Sequence, residues 1–309
     1  MMKISPRILA VLCLLAFAGA AQAYTPVAEM VTDNVYAIVG PLDQRSPEND
    51  ALNNNLGFIV TDKGVILIDS GASRLGAQKV EAAIGAVTEQ PVKWVINVGS
   101  QDHRWLGNAY FADKGAQIIA LTRTAQTQER FADRHMQTLG RFLGERLAGT
   151  EPLPATTRLE GDAVELTLGG IPLVLSYTDA HFPGDAMLWL PKQKTVFTGD
   201  LVYVDRMLSV HDWSDMQKAQ AAFEAMEALA PEHVIPGHGH VTDLATARRD
   251  TGDYYDFLVN VVGAAAMEME SMADVIARHA GHPDFRHLEH FDSLHRANMN
   301  RTYLQFEAM

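Results

Sequence analysis

The segments SYTDAHFPGD (176–185), KTVFTGD (194–200) and HVIPGHGH (233–240) decide the fold prediction, because each joins a hydrophobic run to a residue type that binds metals. The three residues are His181, Asp200 and His238. A rigid strand holds such a side chain in place, and the loop that follows leaves a coordination position open. We therefore expect these three side chains to meet at one edge of a β-structure as ligands of a metal ion.

Outward from these segments, the chain predicts strands that alternate with helices in two similar halves. Strands are expected at 34–40, 55–62, 64–70, 91–98, 116–121, 163–168, 171–177, 185–191, 194–200 and 233–237. Helical spacing is found at 73–88, 105–114, 122–148, 214–229 and in long stretches from 241 onward. This pattern predicts an α/β (α+β) fold in which two sheets pack face to face with helices outside.

The amino terminus resembles a secretory signal peptide. Lys3 and Arg7 precede an apolar stretch at 8–18, and the small-x-small sequence AQA ends at Ala23. We expect cleavage after Ala23 and a periplasmic or secreted protein, because the apolar stretch is too short to span a bilayer. The single cysteine, Cys13, lies inside this segment, so the mature chain would have no disulfide. Residues 24–309 are expected to form one domain with a C-terminal helical extension.

The charge of the chain excludes some classes of partner. Its formal net charge is −13, and the sequence contains no run of basic residues. Nucleic acid and anionic membrane surfaces are therefore unfavourable partners. We expect a small-molecule substrate and no membrane span after signal cleavage, while the oligomeric state does not follow from the sequence.

Five motifs occur in an order that is typical of one protein family. They are LIDSG (67–71), VIN with LGNAYF (95–97 and 106–111), AHFPGD (180–185), FTGDLV (197–202) and IPGHG (235–239). Over about 35–241 they resemble the metallo-β-lactamase-fold superfamily. The resemblance implies a four-layer αββα sandwich of two mixed β-sheets, with a site for one or two metal ions at one edge. The ending FDSLHRANMNRTYLQFE (291–307) also resembles exported members related to SoxH and the quinoprotein-relay hydrolases.

The segment WVINVGSQDHRWLGNAYF (94–111) departs from the family pattern, in which a T-H-x-H-x-D-H motif precedes G-N. Aligned without a gap on LGN, the two leading histidines of the motif fall on Gly99 and Gln101. The aspartate then falls on His103 and the last histidine on Arg104. A register shifted by one residue would instead make Asp102 and His103 the Asp-His pair. In either register the first metal position has lost at least two ligands.

The resemblance implies an altered metal site. By position, His181 corresponds to the third histidine of the first site, Asp200 to the bridging carboxylate and His238 to the histidine of the second site. His103 would replace the second site's aspartate, which zinc and iron both tolerate. We expect these four residues to bind one ion, most simply Zn with Fe as the alternative, and Gln101 to be a weak additional oxygen ligand.

Other residues are expected to support this site. Asp69 and Asp102 would orient the ligands by hydrogen bonds, although Asp69 could also be a strand-end turn residue. Arg104 could pair with a carboxylate, bind an anionic substrate group or stabilise a developing oxyanion. His211 and Trp213 follow the Asp200 loop and could line the substrate mouth, or else belong to a solvated loop.

Three functions are compatible with these residues. The primary hypothesis is an exported metal-dependent hydrolase in which metal-activated water attacks an ester, amide or lactone-type bond, with Asp200, His103 and Arg104 as the catalytic residues. The second is a non-hydrolytic accessory or binding protein that keeps the fold. The third is a mononuclear iron oxygenase, because two histidines and one carboxylate suit iron(II).

Overall fold

The computed structural model describes residues 24–309, and the predicted signal peptide lies outside the described residues. Its first sheet has seven strands, which run in sequence order across the sheet. They are β1 (Ala28–Thr32), β2 (Val35–Ile38), β3 (Leu56–Thr61), β4 (Gly64–Ile68), β5 (Val92–Ile96), β6 (Gln117–Leu121) and β7 (Thr157–Leu159). Pairing is antiparallel from β1 to β4 and parallel from β4 to β7. The carboxyl ends of β4 and β5 therefore lie side by side.

The second sheet has five strands in the order β12-β11-β10-β9-β8. They are β8 (Ala163–Leu168), β9 (Ile171–Tyr177), β10 (Ala186–Leu190), β11 (Thr195–Phe197) and β12 (His233–Ile235). β11 and β12 are parallel, with Phe197 opposite Ile235, so the segments that follow both strands begin at the same edge.

Helices cover the outer faces of the two sheets. They are α1 (Arg74–Gly85), α2 (Asp102–Trp105), α3 (Asn108–Asp113), α4 (Thr122–Leu143), α5 (Met216–Ala228), α6 (Leu244–Ala247), α7 (Asp253–Phe257), α8 (Ala264–Met267), α9 (Met272–His279) and α10 (Phe291–Glu307). Two π-helical segments, Arg248–Gly252 and Leu258–Gly263, join α6, α7 and α8 into one helical stretch. Within residues 24–309, no helix combines the length and the apolar character needed to cross a membrane.

Three apolar layers hold this arrangement together. Between the sheets, Ile66 and Ile96 of the first sheet pack with Leu188 and Phe197 of the second, all nearly fully buried. A second layer packs α1 against the outer face of the first sheet, and a third packs α5, α7 and α10 against the second. Burial of apolar surface on both faces of each sheet is the main stabilising term. The predicted αββα four-layer sandwich is confirmed.

The element predictions need three corrections. β1 and β7 were not predicted, because each is short and partly exposed and gives no continuous apolar run. The helix expected at 105–114 is divided into α2 and α3. The strand expected to reach Asp200 ends at Phe197, and Gly199–Leu201 form a short 3-10 turn that carries the carboxylate.

Candidate metal centre

Three side chains from different segments meet at one edge of the sandwich. His103 lies in α2, after β5, while Asp200 and His238 follow the parallel strands β11 and β12. One potential ligand atom from each residue lies within 4.8 Å of the others, and all three residues are buried. The strand ends thus bring together two imidazoles and a carboxylate that are up to 135 residues apart in sequence.

The Asp200 carboxylate lies between the two imidazoles. Its Oδ2 is 3.3 Å from Nε2 of His103, and its Oδ1 is 3.2 Å from Nε2 of His238. On the far side of its ring, His238 Nδ1 donates to the backbone carbonyl of Asn53 at 2.8 Å, which leaves Nε2 as the lone-pair nitrogen. His103 Nδ1 likewise faces Oδ1 of Asp102 at 3.3 Å.

The protonation states favour a cation at this position. Burial lowers the pKa of His238 to about 3, so its imidazole is neutral and able to act as a ligand. Burial alone would raise the pKa of Asp200, but Arg104 and the two imidazoles hold it well below its ordinary value. His103 Nε2 is fully buried and has no hydrogen-bond partner among the described residues. A buried lone pair beside a carboxylate and a second imidazole fits a divalent metal ion.

A buried arginine occupies the other side of the Asp200 carboxylate. Arg104 donates from Nε to Asp200 Oδ2 at 3.1 Å and from Nη2 to Asp200 Oδ1, while Nη1 donates to Asp69 Oδ2 at 2.6 Å. Its side chain is 1% exposed. Two glycines make room for it: a Cβ on Gly99 would lie 2.1 Å from Arg104 Cδ, and one on Gly237 would lie 2.8 Å from Arg104 Nη2. The guanidinium is therefore a fixed cation within the site.

Asp69 and Asp102 are the outer carboxylates of the centre. Asp69, which ends the β4 segment, has a φ of 60° and accepts a hydrogen bond from the Val98 amide at 2.9 Å. Burial raises the pKa of Asp69 to about 6, although Arg104 acts in the opposite direction. Asp102 contacts both His103 and the guanidinium of Arg45. Asp102 therefore contacts one of the three residues directly, whereas Asp69 contacts Arg104 and the Val98 amide.

His181 lies outside the group of three. It is buried, its Nε2 is 3.4 Å from the Tyr203 hydroxyl, and its ring centroid is 5.0 Å from that of His211. Burial holds the pKa of His181 well below its ordinary value, so the ring is neutral. Gln101 directly precedes α2 and is also buried, without capping that helix. The structure thus brings together three of the four expected ligands, with His181 beside them.

The residues expected at the substrate mouth lie in the loop that follows Asp200. His211 packs against His181, while Trp213 is 38% exposed and its ring lies 5.2 Å from that of Phe131. The C-terminal helix α10 holds this loop in place. Its Asn298 accepts from the Val210 amide at 2.8 Å and donates to the Leu208 carbonyl at 2.8 Å.

Two residues of the centre were missed by the sequence analysis. The ring of Tyr203 stacks on His238 with centroids 4.6 Å apart, and its hydroxyl reaches His181. Asn55 donates to the carbonyls of Pro236 and Gly239, at 2.9 and 2.6 Å, and so fixes the loop that carries His238. The run of three asparagines before β3 and the tyrosine three positions after Asp200 were the available signals.

Comparison with known proteins shows what this chain is similar to. A sequence model of the metallo-beta-lactamase superfamily matches residues 108–238, whereas no curated protein matches the chain by sequence. Among solved structures, the sec-alkylsulfatase Pisa1 from Pseudomonas sp. is 16% identical, with a TM-score of 0.67 over 91% of this chain and 50% of that chain. A double mutant of PisA1 gives 15% identity and a TM-score of 0.71 with the same coverage. The chain therefore spans about half the length of these alkylsulfatases.

Shorter enzymes of the same fold are matched along nearly their whole length. The metallo-beta-lactamase FIM-1 from Pseudomonas aeruginosa, solved in a mono-zinc form, is 16% identical, with a TM-score of 0.59 over 76% of this chain and 96% of that chain. The DIM-1 metallo-beta-lactamase is 18% identical, with a TM-score of 0.55 over 75% of this chain and 98% of that chain. At these identities the structural likeness shows the fold alone. Residues 108–238 are thus similar to the metallo-beta-lactamase superfamily in sequence, and the chain shares the αββα sandwich of these solved structures.

Proposed function

We propose that this protein is an exported metal-dependent hydrolase that holds one metal ion on His103, Asp200 and His238. The observation that supports this most directly is the convergence of three buried ligand atoms within 4.8 Å. The unpartnered Nε2 of His103 supports it further. When bound there, a divalent cation lowers the pKa of coordinated water and polarises an ester or amide oxygen.

The arginine explains why one ion is expected rather than two. Arg104 places a permanent positive charge against Asp200 and Asp69, so these two carboxylates are already neutralised on that side. Like charges within a few ångströms repel strongly where water is excluded. A second cation between the same carboxylates is therefore unfavourable. Because each of its nitrogens donates to Asp200 or Asp69 and its side chain is 1% exposed, Arg104 acts by positioning Asp200 rather than by touching a substrate oxyanion.

His181 and Tyr203 are placed to handle a proton beside the ligands. The neutral His181 can accept a proton at Nε2, which faces the Tyr203 hydroxyl at 3.4 Å. The stack of Tyr203 on His238 fixes that hydroxyl relative to the three ligands. We infer that the Tyr203 hydroxyl orients the attacking water and that His181 Nε2 receives its proton, with His211 and Trp213 at the entrance.

The metal and the cellular location belong to the same proposal. Zinc suits the site through its tolerance of histidine and carboxylate ligands, and the residue pattern at 1–23 supports export. The SoxH-related branch indicated by residues 291–307 remains a prediction. A mononuclear iron oxygenase is the second candidate, because two histidines and one carboxylate are also the ligand set of non-haem iron enzymes.

Metal analysis of the chain purified without added metal tests this proposal. We expect about one zinc per chain, lost in His103→Ala and His238→Ala and retained in His240→Ala, since the His240 side chain is 74% exposed and pairs with Asp205. Turnover should be measured on a carboxylic ester, a lactone and an amide. Zinc with turnover supports the hydrolase, and iron with oxygen uptake supports the oxygenase. Absence of any bound metal would contradict both and favour an accessory protein.

A further inference from the structure

A second arginine beside the metal centre has no anionic partner. Arg206 is 4% exposed, and no aspartate or glutamate in residues 24–309 forms an ion pair with its guanidinium. Its Nε is fully buried without a hydrogen bond, and Nη1 makes one long contact, 3.5 Å to the backbone carbonyl of Asp43. By contrast, each guanidinium nitrogen of the similarly buried Arg104 donates to Asp200 or Asp69.

An unpartnered buried guanidinium is unusual on physical grounds. Removing a charge from water costs several kcal/mol unless a counter-charge and hydrogen bonds compensate for it. Burial accordingly lowers the pKa of Arg206, with smaller effects from Tyr203, Asp200 and Arg45. Folded proteins keep such a residue where a ligand supplies the missing partner, and the planar fork of arginine matches the oxygens of carboxylate, sulfate and phosphate groups.

The position of Arg206 ties it to the metal centre. The backbone of the segment that precedes it is bonded to the His238 loop, with the Val204 amide donating to the His238 carbonyl at 3.0 Å. The Asp43 carbonyl that Arg206 contacts is two residues from Arg45, whose guanidinium contacts Asp102. Asp102 in turn faces the imidazole of His103. Two arginines therefore flank the ligand histidines from adjacent loops.

Both signs of charge are present around Arg206. Asp43, Asp200 and the Tyr203 hydroxyl favour its charged form, while Arg45 opposes it. Asp200 is already bonded to Arg104, and Arg45 is bonded to Asp102 but retains 28% side-chain exposure. Among these three arginines, Arg206 is thus the one that donates to no carboxylate of the described residues, and its N–H groups make only one long hydrogen bond to them.

We propose that Arg206, assisted by Arg45, binds an oxyanion group of the substrate next to the metal centre. The substrate class is then a small anionic molecule that carries a sulfate, phosphate or carboxylate group within reach of the bond that is cleaved. This inference rests on the proposed hydrolase function for the identity of the ligand as substrate. The binding of an oxyanion itself does not depend on catalysis.

Anion binding to the full chain after metal removal by a chelator tests the proposal. Sodium sulfate, phosphate and acetate are titrated at constant ionic strength, with chloride as the reference, and binding is followed by calorimetry and by the thermal unfolding temperature. We expect saturable binding of at least one oxyanion by the wild type, weakened at least about tenfold in Arg206→Gln. The anion that binds most tightly identifies the substrate's charged group.

The matched control is Arg296→Gln, which removes the same charge from an exposed position on α10. It should bind oxyanions as the wild type does. If Arg206→Gln does not fold, Arg206→Lys is measured instead, which keeps the charge, loses the fork and should weaken binding to an intermediate degree. Equal binding by the wild type and the Arg206 variant, or no saturable binding by either, overturns the proposal.

The two proposals fail separately. Oxyanion binding by a protein that has no bound metal and no turnover would contradict the hydrolase proposal and still support the anion site. The anion site alone would be contradicted by a second outcome. In that outcome the protein hydrolyses neutral esters with zinc, shows no preference for anionic esters and binds no oxyanion through Arg206.

Discussion

Replacement of Arg104 by alanine should strongly destabilise the metal-free protein, because it leaves Asp200 and Asp69 buried without their counter-charge. Breaking one side of a buried ion pair typically costs about 3–5 kcal/mol. Asp69 can contribute only a limited part of this loss, because it can take up a proton instead of remaining charged. Its pKa is about 6 in the intact protein, so protonating it at pH 7 costs about 1.4 kcal/mol, and its contribution cannot exceed that value. Most of the effect must therefore come from Asp200.

The free energy of unfolding is measured by urea denaturation of the metal-free protein at pH 7. Arg158→Ala is the matched control, because Arg158 pairs with Glu129 at 38% side-chain exposure and should lose at most about 1 kcal/mol. Added zinc should reduce the loss in Arg104→Ala, with metal content rising from about one toward two ions per chain, because the vacated position lies between two carboxylates. A loss below about 1 kcal/mol, with unchanged metal content, would refute the assignment of Arg104 as a fixed cation.

Three further predictions address the surroundings of the centre. Burial lowers the pKa of His135 from 6.5 to about 4, so His135 takes up a proton in the unfolded chain at a higher pH than in the folded one. The free energy of unfolding should therefore fall by up to about 3 kcal/mol between pH 6.5 and pH 4. The variant His135→Phe should not show this loss. Urea denaturation of the wild type and the variant at pH 7 and pH 4.5 measures the difference. The same loss of stability in both proteins would contradict the prediction. Gly99→Ala should cost about 1–3 kcal/mol, because the new Cβ would lie 2.1 Å from Arg104 Cδ, and unchanged thermal stability would count against this packing. Asn55→Ala should weaken zinc binding about 10–100-fold in chelator competition, since it frees the loop that carries His238, and wild-type affinity would exclude that role.

The sequence was sufficient for the layers of the fold because hydrophobic periodicity reports burial directly. Buried strands such as β4 and β5 have continuous apolar runs, and they were located to within a few residues. β7 pairs with β6 through only three residues and depends on that neighbour rather than on its own sequence. Local pattern carries no information about such a partner.

The candidate site likewise contains residues that the sequence predicted and contacts that it did not. Asp200 and His238 follow predicted strands, so their approach could be anticipated from strand order, whereas His103 was placed beside them only by the resemblance to the metallo-β-lactamase fold. Arg206 was not singled out, because an arginine in a loop is ordinarily solvated and only the three-dimensional packing shows that it is 4% exposed. The stacking of Tyr203 on His238 is likewise a contact across 35 residues that no spacing rule predicts.

The attachment of α10 to the loop that carries His211 has a consequence for how the proposed activity could change. Asn298 holds that loop from a distance of 88 residues in sequence, so a change in the position of α10 would also move the loop. If the proposed hydrolase activity is present, laboratory evolution toward bulkier substrates should therefore enrich replacements along α10 as well as around His103, Asp200 and His238.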